Sequence, residues 1–85
     1  MDHTVPSWKE DEMLVQLNYS VENAVQAVGQ AQSNPTEEQI QDARQKIERA
    51  EHSFANAIQT RGQIEPIQRL QEEFNESKNR LEKLH

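Results

Sequence analysis

Apolar residues recur along this chain at steps of three and four, in three separate runs, and the polar residues fall between them. The first run is Leu14, Leu17, Val21, Ala24, Val28 and Ala31, widened by Met13 and Val25. The second is Ile40, Ala43, Ile47, Ala50, Phe54 and Ala57. The third is Ile67, Leu70, Phe74, Ser77, Leu81 and Leu84, with Ile64 just before it and Ser77 as its single polar member, which is expected to be partly exposed or bonded back to the preceding turn. Spacing of this kind puts the apolar side chains on one face of a helix, and such a face has to be covered.

The ends of the runs carry boundary signals. Ser7 and Glu10 form a capping-box pattern just after Pro6, so helix one is expected over about residues 7–31, behind a flexible lead-in at 1–6. Asn34, Pro35 and Glu37 read as a cap, a first-turn proline and a back-bonding carboxylate, starting helix two at 35; Gly62 stops it at 61. Helix three then runs over 65–84, with Pro66 in its first turn. Gly29 lies inside the first pattern and lowers helix propensity by up to about 1 kcal/mol. It suits either the close approach of a neighbouring backbone or a weak point near the helix end. Links of a few residues make successive helices antiparallel.

The expected fold is all-α: one antiparallel up-down-up three-helix bundle with coiled-coil-like heptad packing. Alanine at Ala43, Ala50 and Ala57, facing Ala24 and Ala31, predicts that helices one and two form the closest pair. A hairpin that dimerises through one long second helix is the main alternative, and Gly62 and Pro66 weigh against it.

Composition narrows this picture. Only 33% of the 85 residues are apolar, which leaves one thin core and modest stability. With no cysteine there are no disulfides, thiolates or Cys-based zinc sites. No apolar run approaches the roughly 20 residues needed to span a bilayer. The first residues lack the pattern of a secretory signal, so a soluble, cytoplasmic protein is the expectation.

The net charge of −6 is unevenly distributed. Residues 1–38 carry seven acids against Lys9 alone, whereas residues 39–85 carry eight acids and eight bases. Direct nucleic-acid binding is disfavoured, because it requires phosphate neutralisation by Lys and Arg. The same balance is compatible with a basic protein partner.

Catalytic or cofactor-binding constellations are hard to find. Neither glycine opens a phosphate-cradling loop. His52 sits opposite the second apolar run and should be exposed; Glu48 lies one turn away, but two ligands do not make a metal site. Glu72, Glu73 and Glu76 read as a solvated face balanced by Arg69 and Arg80, because general acid–base work needs a carboxylate tuned by burial. The expectation is a non-enzymatic chain with no metal or cofactor.

One feature stands off the core pattern. Trp8, Val15 and Tyr19 form a second strip on helix one, bordered by Asp11, Glu12 and Glu22. It holds the only Trp and the only Tyr. Amphipathic aromatics of this kind are enriched at interfaces. The plainer reading folds Trp8 over the bundle end and leaves Tyr19 as scattered surface.

Residues 21–32 (VENAVQAVGQAQ) and 43–58 (ARQKIERAEHSFANAI) resemble short alanine- and glutamine-rich helical proteins of unknown function from Bacillus-type bacteria or their phages. The resemblance implies a bacterial or phage origin and a cytosolic, non-enzymatic role. Two functional expectations follow. The first is a small interaction module that binds a protein partner, or a second copy of the chain as a homodimer, through Trp8, Asp11, Glu12, Val15, Tyr19 and Glu22. The second is an acidic inhibitor of phage type that blocks a basic or nucleic-acid-binding site by charge mimicry.

Overall fold

A computed structural model of the chain describes residues 12–84. Three helices, α1 (Glu12–Ser33), α2 (Glu37–Arg61) and α3 (Glu65–Glu82), account for 89% of the described residues, which include no strand. All three helix pairs are in contact, so the molecule is an all-α three-helix bundle. The expected start of helix one at residue 7, with its Ser7–Glu10 cap, lies outside the described residues.

The joins span residues 34–36 and 62–64, short enough to reverse the chain each time. Consequently α1 and α3 run parallel, and α2 runs against both. Packing is most extensive between α1 and α2, intermediate between α1 and α3, and sparsest between α2 and α3. The expectation of a close α1–α2 pair is met, and its cause is visible in register. Ser20 of α1 and Ser53 of α2 share a hydroxyl–hydroxyl hydrogen bond of 3.2 Å. One turn from that contact, Ala24 comes level with Ala50; three turns away, Ala31 comes level with Ala43. All four alanines are fully buried.

Helix α2 starts later than the sequence suggested. Its cap is Thr36, whose extended backbone places Oγ1 to accept from the Gln39 amide at 3.2 Å. Asn34 is still engaged in the end of α1: its amide donates to the Gln30 carbonyl at 2.8 Å, and its own carbonyl accepts from Thr36 at 2.7 Å. Held in that turn, Asn34 does not cap α2, and Pro35 lies one residue before the cap instead of in the first turn. Thr36→Ala should therefore lower stability by about 1 kcal/mol in urea or thermal unfolding. Asn34→Ala should change it by less than about 0.5 kcal/mol, and the reverse order would restore the earlier assignment.

At the other end Gly62 stops α2 with φ +80°, a conformation that L side chains rarely adopt, while its amide closes on the Ile58 carbonyl at 2.8 Å. Pro66 lies in the first turn of α3, where a missing N–H leaves nothing unpaired.

The core contains nearly all of the three predicted stripes. Three departures have physical causes. Ala27 is buried although it lies off the first stripe, because α1 packs against both other helices and presents a wider arc to them. Ile40, Leu70 and Leu84 are only half-buried, as they sit near helix ends where cover runs out. Ser77 is buried at 4% exposure, so of its two expected alternatives partial exposure does not hold, and no buried side-chain polar atom among the described residues lacks a partner. Gly29 has nothing within 4 Å of where a Cβ would stand, so no neighbouring backbone comes close to it and α1 passes through without interruption.

Between α2 and α3 the principal contact is aromatic. The Phe54 and Phe74 rings lie 5.2 Å apart at an interplanar angle of 50°, a tilted arrangement that aromatic quadrupoles favour. Beside it Lys78 donates to Glu51 at 2.6 Å. That hydrogen bond, with the attraction of the Glu51 charge, holds the ammonium above its usual pKa. The lysine thus stays charged through neutral pH, and on the alkaline side the link is lost as it deprotonates. Both partners are substantially exposed, so the pair adds little to stability.

Candidate interaction face

Helix α1 presents Glu12, Val15, Tyr19 and Glu22 at steps of three, four and three, on the side turned away from Leu17, Val21 and Ala24. Glu12 and Glu22 are exposed, and Val15 is half-buried. Tyr19 is 62% exposed, the most exposed of the large apolar residues described. Burying Tyr19 is not what holds the bundle together. Trp8 and Asp11, the other two residues expected on this face, lie outside the described residues.

The electrostatics of the face follow from what α1 lacks. Its 22 residues include no lysine or arginine, so nothing on the helix neutralises Glu12 and Glu22. The other helices are laced internally: Asp42 with Lys46 at 3.3 Å, Glu65 with Arg69 at 3.3 Å, and Glu76 with Arg80 at 3.7 Å. The acidic group on α3 is therefore anchored through Glu76, while Glu72 and Glu73 stand exposed beside it. Of the two partners its spacing offers, Glu65 and Glu73, Arg69 pairs with Glu65. His52 is exposed, as its position opposite the second stripe required. Among the described residues no three His, Asp or Glu side chains are grouped so as to hold a metal ion.

A pocket that sequence reasoning missed lies next to this face. Between the beginnings of α1 and α3, Leu14, Asn18, Pro66, Arg69 and Leu70 enclose about 150 Å³. The sequence holds only a faint signal for it: polar Asn18 stands at the edge of the first stripe, and Leu70 across from it is left half-buried. Seeing the gap requires the register between two helices that are parallel and far apart in sequence, and periodicity within one helix does not supply that.

Comparison with protein-family models, with curated proteins and with solved structures gives no match. No described helix is long and apolar enough to cross a membrane.

Proposed function

We propose that the protein is a non-catalytic interaction module that binds a protein partner, or a second copy of itself, through the acidic and aromatic face of α1. The observation that supports this reading is Tyr19: the only tyrosine in the chain stands 62% exposed beside Val15, between the exposed carboxylates of Glu12 and Glu22. A tyrosine so placed offers a large, rigid contact surface at low entropic cost, and its hydroxyl can stay wet at the rim. The reading needs no cofactor, and it suits the likeness of residues 21–32 and 43–58 to small helical proteins of bacteria and phages.

Charge mimicry by an acidic inhibitor is the second reading. It is favoured by the absence of any cation along α1. Salt separates the two: mimicry weakens steeply between low and moderate ionic strength, whereas an aromatic-anchored contact holds.

The test combines Trp8→Ala with Tyr19→Ala. Mass in solution across a concentration series, together with capture of partners from the source organism, should show association abolished. Surface changes outside the core stay within about 0.5 kcal/mol, so Tm should move by no more than about 4 °C. A larger fall in Tm would make both aromatics structural and remove the interaction reading, as would association that survives both substitutions.

A further inference from the structure

The pocket between α1 and α3 says what kind of partner this face takes. Three of its five lining residues, Leu14, Pro66 and Leu70, have hydrocarbon side chains. The polar lining residues are Asn18, which is half-buried, and Arg69, which is exposed and paired with Glu65. Its volume of about 150 Å³ suits one large apolar side chain. Val15 and Tyr19 directly follow Leu14 and Asn18, so they occupy the neighbouring strip of α1. Ile64, 37% exposed, precedes Pro66 by two residues. Among the described residues, the two large apolar ones left exposed, Tyr19 and Ile64, are thus close in sequence to residues that line the pocket.

The surround is acidic. Across Glu12–Ser33 and residues 65–75, Glu12, Glu22, Glu65, Glu72 and Glu73 face a single cation, Arg69, already paired with Glu65 at 3.3 Å. Helix α2, which takes no part in the pocket, is nearly balanced, with five acids against four bases. Over their full lengths α1 carries two acids and no base and α3 five acids and three bases, so each of the two helices that line the pocket is slightly more acidic than α2.

We infer that this pocket anchors a protein partner through one large apolar side chain with lysine or arginine immediately beside it. The inference rests on the reading of α1 as an interaction face, and names the class of partner. Desolvation of the apolar group supplies affinity, while the carboxylates around it select the basic flank and repel an acidic one.

Two capped synthetic peptides test it, each with one central phenylalanine, flanked on both sides by two lysines or by two glutamates. They are titrated into the ¹⁵N-labelled full chain, and amide shifts are followed. The lysine peptide should move the amides of Leu14, Asn18 and Leu70, and bind at least about tenfold more tightly than the glutamate peptide at low salt. Asn18→Phe fills the pocket from a half-exposed helix position and should abolish the shifts. Glu22→Gln with Glu73→Gln, two exposed changes that leave the core alone, should cut the preference between the peptides severalfold. No shifts at these amides, equal binding of both peptides, or shifts that persist in Asn18→Phe would each overturn the inference. So would binding seen only in Trp8→Ala, which would make the chain's own tryptophan the occupant. Tyr19→Ala keeps the two readings apart. Peptide binding lost with Asn18→Phe but kept with Tyr19→Ala supports the pocket without the wider face. The opposite pattern keeps the face and removes the pocket.

Discussion

Phe54→Ala should destabilise the bundle by about 3–5 kcal/mol, the usual range for removing a buried phenylalanine. Phe54 is 5% exposed, and its ring meets Phe74 at 5.2 Å. The position matters as much as the residue. Packing between α2 and α3 is the sparsest of the three helix pairs, so few other contacts compensate when this one is removed. The exposed Lys78–Glu51 pair cannot make up the difference. Small domains have roughly 5–15 kcal/mol of stability in total, and a thin core places this one towards the low end. Urea unfolding should therefore show a markedly lower midpoint for the variant. A loss under about 1 kcal/mol would mean that the cavity collapses and that the aromatic pair does not secure α3.

Ala50→Leu should be the second most damaging change, at about 1–3 kcal/mol, although leucine is almost as good a helix former as alanine. Ala50 is fully buried and level with Ala24, itself fully buried. The larger side chain has no space unless α1 and α2 move apart, and they are the most extensively packed pair. Ala55→Leu is the control: it makes the same change on the same helix at an exposed position, and should stay within about 0.5 kcal/mol. If both variants unfold at the same urea concentration, alanine is not what sets the distance between these helices.

These two positions also show how much of the fold is legible in the residues. Ala50 and Phe54 belong to an uninterrupted stripe, and a stripe of that length specifies a helix and its buried side almost regardless of context. The end of α2 and the start of α3 were equally plain, because Gly62 takes the positive φ that other residues avoid and Pro66 has its φ fixed at a value suited to a first turn. The start of α2 was not. Asn34 and Thr36 are both competent caps, each with a plausible partner three residues on, and the choice falls to which of them the end of α1 has already taken. Ala27 escaped for a related reason: the arc a helix buries depends on how extensively its neighbours pack against it, and α1 takes part in the two most extensive contacts. On the candidate face, the exposure of Tyr19 follows from its phase relative to Leu17 and Val21. The hollow beside it does not, because it arises where Asn18 meets Leu70, two residues that no pattern within one helix connects.

That hollow has a consequence for folding. Helix α2 is adjacent in sequence to both of its neighbours, so each α-hairpin can form through nearby contacts. The walls of the pocket meet only after the chain has passed up α2 and returned, which makes their contact the least local in the bundle. A partly assembled chain has no such hollow. Whatever occupies it binds the completed bundle alone, and at a hundred times its Kd would stabilise the native state by about 2.7 kcal/mol. For a chain with so thin a core, that is a substantial fraction of its whole stability.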